Sequence, residues 1–343
     1  MDIQQALAAL VDHKDLSRED TESVFRQIMT GEATPAQIGA LLAAIRVKGE
    51  TPEEIAGAAS VMRELSTKVD IVDDNLVDTC GTGGSGVKLF NISTAAAFVT
   101  AAAGAKVAKH GNRKMTSVSG SADVLEAAGV NLQLTPEQIA RCINDVGVGF
   151  MFAQAHHSAM RFAGPVRQEI GVRTMMNILG PMTNPANARR QVIGVFATEW
   201  QVKMAEVLSL LGTEHAMIVH SDGLDEIRID RPTQVVELRN GEIQQYTLDP
   251  AEFGFQGYTT DVMHEISATT AEQSLALIKE ALSNPDSAAA DIVAINAGAA
   301  IYVSGIAMNM RDGITMAQDA ISAGLAKEKL AELVRISSMM GEA

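Results

Sequence analysis

Cysteine is scarce in this chain. Cys80 and Cys142 are the only two in 343 residues, and their 62-position separation matches neither a zinc motif nor a disulfide framework. With a chain of this length a small disulfide scaffold is excluded, no structural zinc is expected, and free thiols in a reducing cytoplasm are expected. Positive charge is also short. The 27 Lys plus Arg face 42 Asp plus Glu, a formal net charge of -15, which argues against a wholesale binder of nucleic acid or anionic membrane. Any anion site has to be local. The opening MDIQQALAALVDHKDL lacks both a basic leader and an unbroken apolar run, so no secretory signal is expected. Long apolar stretches are nearly missing as well. Residues 292–310 carry no charge, but Asn296, Gly298, Ser304, Gly305 and Asn309 interrupt them and alanine rather than leucine dominates. That composition predicts a helix packed closely inside a soluble core, not a membrane span.

What the chain does have is enough apolar material, 47% of its residues, for a large core in two domains or one large α/β unit. The first 70 residues read as helices. Thr34-Pro35 and Thr51-Pro52-Glu53-Glu54 each set a hydroxyl cap before a proline at the first helical position, and the second adds a glutamate in the capping-box place. Ile38, Leu41, Leu42 and Ile45 recur at helical spacing. From Leu76 onward the pattern changes. Short apolar runs at 76–80, 106–108, 149–152, 192–196 and 216–219 lie between helix-like segments, the pattern of a parallel sheet covered by helices. Residues 233–247 alternate about Asn240-Gly241, which predicts a tight hairpin forming an antiparallel flap that interrupts the parallel pattern. The fold class is α/β, with a small all-helical N-terminal domain over 1–72, joined by a helical contribution from about 165–185, and a larger α/β domain with a mainly parallel central sheet over 73–343. Residues 73–75 and 184–190 are candidate hinges.

One further absence points to function. Between Asp78 and Asp123 no Asp or Glu occurs, although the overall acid frequency would place about five there. The same stretch carries Lys88, Lys106, Lys109, Arg113 and Lys114, with His110. A buried alanine-rich helix accounts for residues 94–105 but not for the basic cluster after them. Before that helix, Gly81-Thr82-Gly83-Gly84-Ser85-Gly86 follows a predicted strand, and glycines there let backbone amides approach an anion. Asn91-Ile92-Ser93-Thr94 stands at the helix mouth, whose free amides and dipole favour phosphate. The loop also satisfies Gly-x-Gly-x-x-Gly. A nicotinamide site, however, needs an acid about 20 residues later, where this chain has Lys106 and Lys109. No Gly-Lys-Ser or Gly-Lys-Thr follows, so a Walker loop fails too. A diphosphate or phosphorylated-sugar site with lysine and arginine counter-charges remains.

The blocks Asp78-Thr79-Cys80-Gly81-Thr82-Gly83-Gly84, Asn91-Ile92-Ser93-Thr94, Lys109-His110-Gly111-Asn112-Arg113, Gly120-Ser121-Ala122-Asp123-Val124-Leu125-Glu126, Pro165-Val166-Arg167, Gly171-Val172-Arg173-Thr174, Asn177-Ile178-Leu179-Gly180-Pro181 and Gly223-Leu224-Asp225-Glu226 come in an order that resembles the anthranilate phosphoribosyltransferases, over nearly the whole chain. The resemblance implies an α/β fold of the nucleoside phosphorylase and phosphoribosyltransferase kind, a homodimer, and magnesium. It also implies transfer of phosphoribosyl from 5-phosphoribosyl 1-pyrophosphate (PRPP) to the amine of anthranilate in tryptophan synthesis, in the cytoplasm. Carried over by motif, PRPP contacts would be Gly81, Gly84, Ser85, Leu89, Asn91, Ile92, Ser93, Thr94, Lys109, His110, Gly111, Asn112, Arg113, Ser117 and Ser121. Anthranilate would meet Gly81, Asn112 and Arg167, and the metal ligands would be Ser93, Asp225 and Glu226, with Lys109 and Arg167 as the catalytic pair. Two positions depart from the family pattern: Ser85 stands where aspartate is usual, and Leu89 where threonine is usual, so Leu89 can contact PRPP only through backbone.

These residue types suit the chemistry. Expelling pyrophosphate builds negative charge on the leaving group, where amides, Lys109 and magnesium would be aimed. The oxygens of Asp225 and Glu226 suit magnesium, and the planar fork of Arg167 suits a carboxylate. An aromatic amine is already a nucleophile, so positioning and leaving-group stabilisation are expected to carry the rate without a strong general base. His110, His156 and His157 are accordingly expected to shape the cleft. Two other readings are a non-catalytic nucleic-acid-binding relative of the same fold and a nucleoside phosphorylase; net charge and the retained Asp225, Glu226 and Arg167 weigh against the first, and the Asn112 and Arg167 blocks against the second.

Overall fold

A computed structural model describes residues 1–84, 86–113 and 119–341. The chain opens with α1 (Ile3–Val11), α2 (Arg18–Met29), α3 (Pro35–Lys48) and α4 (Pro52–Leu65). Thr34 and Thr51 cap α3 and α4 as expected, with Gln37 and Glu54 closing reciprocal capping boxes. Each such cap contributes about 1 kcal/mol and fixes where the helix starts. Ile38, Leu41, Leu42 and Ile45 of α3 are all buried.

Strands and helices then alternate: β1 (Leu76–Gly81), α5 (Ile92–Ala102), β2 (Lys106–Gly111), α6 (Ser121–Ala127), α7 (Pro136–Val146), β3 (Val148–Phe152), α8 (Ala153–His156), α9 (Met160–Ile170), β4 (Arg190–Gly194), α10 (Glu199–Leu210) and β5 (His215–His220). The antiparallel pair β6 (Thr233–Arg239) and β7 (Glu242–Leu248) follows, then α11 (Val262–Glu265), α12 (Ala271–Ala281), α13 (Ala288–Ser304), α14 (Met310–Ser322) and α15 (Leu325–Gly341). The sheet order is β3-β2-β1-β4-β5-β6-β7, parallel from β3 to β5 and antiparallel beyond. The expected flap is therefore corrected. The hairpin extends the sheet at one edge, because β6 pairs with β5 along six residue pairs from His215↔Arg239 to His220↔Gln234.

One core packs α5, α12, α13 and α14 on one face of the sheet. A second, on the other face, joins α1–α4, α9 and α10 to β4 and β5, and Trp200, the single tryptophan, is buried in it. The 292–310 stretch is split: α13 ends at Gly305 in a left-handed cap (φ +87), and Gly298 of α13 meets α14 so closely that a Cβ there would lie 2.7 Å from the Ile314 backbone nitrogen. Among the described residues no helix is long and apolar enough to cross a membrane.

The two expected hinges are tied down. Asn184 is buried and donates to Asp78 Oδ2 (2.8 Å) and to the Ala108 carbonyl (2.9 Å), and Arg190 donates to the carbonyls of Asp74 (2.9 Å) and Val303 (3.1 Å).

Candidate functional site

Strand order reverses at β1, which has β2 on one side and β4 on the other, and ligand sites in such sheets form at the carboxyl ends of the strands beside that point. β1 runs out there into Gly81-Thr82-Gly83-Gly84. Gly83 and Gly84 have φ of +64° and +84°, backbone that glycine alone adopts without strain. A cleft of about 570 Å³ opens between this loop and α9. Lining it are Gly81, Gly84, Leu89, Asn91, Ile92, Ser93, Lys109, His110, Gly111, Asn112, Arg113, Ser121, Arg167, Asp225 and Glu226, brought together from five separate parts of the chain. Ser85 and Ser117 lie outside the described residues. Thr94 is not on the cleft: it is buried, and its hydroxyl has no partner among the described residues.

The expectation of free amides at the helix mouth is corrected. The Ile92 and Thr94 N–H groups donate to the carbonyls of Phe90 (2.8 Å) and Asn91 (3.1 Å). Ser93 N–H donates to Glu226 Oε1 (3.2 Å), and Gly83 N–H to Asp225 Oδ2 (3.1 Å). Two amides suited to an anion thus hold the chain's own carboxylates, which stand in for ligand oxygens. Burial first, and then the adjacent Asp225 carboxylate, push Glu226 well above the usual carboxylate range, against the pull of Lys109 and of the hydrogen bonds from Ser93. Gly194 makes room for this acid pair: a Cβ there would lie 1.6 Å from the Asp225 carbonyl oxygen. Among the described residues no three His, Cys, Asp or Glu side chains cluster as a ready metal cage.

Lys109 is buried in the floor of the cleft rather than extended into it. Its ammonium donates to the Thr79 carbonyl and to Ser93 Oγ (3.3 Å). Burial lowers its pKa, partly offset by Asp78, Cys80 and Glu226. Asp78, wholly buried in β1, accepts from His110 N–H (3.1 Å) and Asn184, and burial raises it. The same burial, with Asp78 next to it, pushes the Cys80 thiol well above its ordinary value, so it stays protonated. His110 and His157 have ring centroids 5.1 Å apart and are held neutral, at about 3 and about 4, mainly by burial. His156 instead meets the Thr67 carbonyl at 2.7 Å. The basic cluster is also less unified than its spacing suggested. Lys106, at the far end of β2, pairs with Asp73 (3.2 Å). Arg113 lines the cleft, but its guanidinium forms a fork with Glu126 (2.7 and 2.9 Å) and a bond to Asp123 (3.3 Å), the first acids after the gap.

Other expected residues act through the frame of the site. Asn91 Oδ1 accepts from Ser119 (3.0 Å) and Ser274 (2.7 Å), locking the turn before α5. Leu89 bridges Ser267 in antiparallel fashion through bonds made by its neighbours Lys88 and Phe90, which leaves its own N–H and C=O facing the other way. Ser121 begins α6, its hydroxyl 3.5 Å from the Asn112 carbonyl. Arg167, on α9, lines the cleft, and burial alone lowers its pKa; no carboxylate pairs with it among the described residues.

Sequence reasoning gave no role to His220 or Arg173. His220 donates through Nδ1 to the Val195 carbonyl (2.8 Å) and accepts Gly223 N–H at Nε2 (3.2 Å), so it fixes the turn ahead of Asp225 and Glu226. Arg173 donates to the Gly84 carbonyl (2.7 Å) and lies over the Phe196 ring at 4.0 Å. The available signal was position: a histidine ending a strand before Asp222-Gly223, and an arginine just beyond α9.

Comparison with known proteins bears on the family and the fold. Residues 73–327 match the model for the α/β domain of a glycosyl transferase family, and residues 4–66 match the helical bundle domain of the same family. Anthranilate phosphoribosyltransferases of Cellvibrio japonicus and Teredinibacter turnerae are 58% and 57% identical to the chain, each over 99% of it and 100% of the relative. The crystal structure of the Thermus thermophilus enzyme superposes with a TM-score of 0.91 at 39% identity, over 97% of this chain and 99% of that one. The Saccharomyces cerevisiae enzyme in complex with PRPP and Mg shares the fold with a TM-score of 0.86 at 24% identity, over 98% of each chain. With relatives this similar along its whole length, the chain belongs to the anthranilate phosphoribosyltransferase family.

Proposed function

We propose that the chain transfers the 5-phosphoribosyl group of PRPP to the amine of anthranilate, a step of tryptophan biosynthesis. The bond from C1′ of the ribose to pyrophosphate breaks, a C1′–N bond forms, and the amine releases one proton. The observation that carries this reading is the cleft itself, whose lining includes Arg167, with no carboxylate partner among the described residues, together with the glycine loop and the Asp225 and Glu226 carboxylates. The diphosphate would enter beside the glycine loop and the α5 mouth, its oxygens replacing the Asp225 and Glu226 carboxylates on the Gly83 and Ser93 N–H groups; Arg167 would clamp the anthranilate carboxylate, and Asn112 and Gly81 would border the acceptor. Holding donor and acceptor in one orientation supplies most of the acceleration. Lys109 acts from the floor, fixing Ser93 and compensating Asp78 and Glu226.

The donor set fits Mg2+: two adjacent hard carboxylates that repel each other in a buried place, with Ser93 beside them. When bound there, magnesium would neutralise charge on the departing pyrophosphate. The same reading assigns the PRPP, anthranilate and metal residues as the sequence analysis gives them, except Thr94, which lies off the cleft; Arg113 would meet PRPP with its guanidinium already bonded to Glu126 and Asp123. It keeps the division into 1–72 with 165–185 and 73–343, a cytoplasmic location, and a homodimer through the helical layer, where Val11 and Val47 are 71% and 79% exposed.

Loss of anthranilate fluorescence on adding PRPP and Mg2+ tests the reaction, with Arg167→Ala as control. Signal loss that needs all three components, and a rise of tenfold or more in the anthranilate KM of the variant, are expected, on the order of a lost charged carboxylate contact. An unchanged signal over a wide magnesium range would overturn the reading.

A further inference from the structure

The glycine loop is held from three directions. Thr82 N–H donates to the Gly194 carbonyl (2.9 Å), and its hydroxyl accepts Phe196 N–H (3.3 Å), which joins the loop to the end of β4. Asp225 holds Gly83. The third hold comes from the α9 side of the cleft, where Arg173 Nη2 donates to the Gly84 carbonyl at 2.7 Å.

Arg173 is well placed for that task. Its guanidinium lies over the Phe196 ring at 4.0 Å, and the backbone N–H of that same residue is the one bonded to the Thr82 hydroxyl. Its backbone stands on a firm base. Thr174, the next residue, is buried, donates its N–H to Asn177 Oδ1 (3.0 Å) and accepts Met176 N–H (3.4 Å), while Met175 and Met176 are buried beneath. The carbonyl it grips belongs to a left-handed glycine, and a Cβ on Gly84 would lie 3.1 Å from Arg173 Nη2. Glycine at 84 therefore serves both the turn and the approach of the arginine.

We infer that Arg173 is a positioning residue for the reaction: it fixes the 82–84 backbone in the form that receives the diphosphate of PRPP, acting through the Gly84 carbonyl rather than on the reacting atoms. This rests on the function proposed above. In the ligand-free protein, Arg173→Ala should raise amide hydrogen exchange in the peptide carrying residues 82–84 by about fivefold or more, with α9 unchanged. In the assay, the PRPP KM should rise about tenfold, while kcat and the anthranilate KM change less than twofold. Arg173→Lys should recover part of the effect. Phe196→Leu combined with Arg173→Ala should be no worse than the arginine change alone, because the two side chains form one contact.

Unchanged exchange at 82–84, or an effect that falls on the anthranilate KM instead, overturns the inference. Additive effects of the two substitutions do the same. The exchange measurement needs no turnover, so the clamp can fail while the reaction stands. A wild-type chain that consumes no PRPP overturns the underlying reading and the kinetic role with it.

Discussion

At the scale of the residue, the site rests on buried charges that compensate one another. Lys109 is 3% exposed, and its ammonium faces Asp78 and Glu226, so its removal leaves buried carboxylates without their cation. Lys109→Ala should cost about 3–5 kcal/mol of stability, measured by urea unfolding, in addition to its loss of turnover. Unfolding at the wild-type urea concentration would show that Lys109 is not the counter-charge. The two buried imidazoles give a pH dependence. His110 and His157 ionise near 3 and 4 when folded, but near 6.5 when unfolded. Because the folded values are depressed, this contribution is complete above pH 6.5 and declines as pH falls toward the folded values, by about 2 kcal/mol per imidazole at pH 5. Comparing urea midpoints at pH 7.5 and 5.0, His157→Gln should lose about half of the acid sensitivity assigned to the pair; an identical pH slope would refute the assignment. The glycines after a strand and the basic stretch beyond them were legible from residue type alone, whereas the acid pair and Arg167 were singled out through the family resemblance, their types then suiting the chemistry. Their partners were not, since Ser93 with Glu226 and Asp78 with Asn184 are joined by folding across more than 100 residues.

At the scale of the element, strand ends and turns aim the acids. The Asp225 backbone crosses Gly194 so closely that any side chain there must displace it. Gly194→Ala should destabilise the fold by about 1–3 kcal/mol and raise the magnesium concentration needed for half-maximal turnover. A wild-type magnesium profile in a folded variant would count against this. His220→Ala should shift the same profile in the same direction by freeing the Gly223 turn, and His220→Gln, which keeps one donor and one acceptor, should restore part of it; equal profiles for all three proteins would remove His220 from the metal loop. Helix starts at Thr34 and Thr51 and the Asn240-Gly241 hairpin were readable because each is decided by a few adjacent residues. The sheet order and the role of the hairpin as its edge were not, since both depend on which distant strand is paired. The bonds that residues 184–190 make were hidden for a related reason: Asn and Arg look loop-like in sequence until burial gives their side chains backbone partners.

At the scale of the whole molecule, the helical layer and one face of the sheet share a core. α9 supplies Val166 against Gly39 of α3 and Phe162 against Gly31, and α10 packs on α4. Residues 1–72 alone would expose the buried face of α3 and α4, so that fragment should show no cooperative thermal transition by circular dichroism. A sharp transition in the isolated fragment would mean that the layer is self-sufficient.

Trp200 sits in this shared core, 4% exposed, with the Lys203 ammonium 5.2 Å from its ring. Since the chain has no other tryptophan, its indole emission reports on one seam alone, that between α10 and the helical layer. A blue-shifted spectrum that stays fixed while substrates bind would mean that this seam moves as a rigid block and that any closing motion lies elsewhere. A red shift that comes before the loss of secondary structure in denaturant would mean that the helical layer peels away first. The molecule thus carries its own spectroscopic gauge at the joint between its two parts.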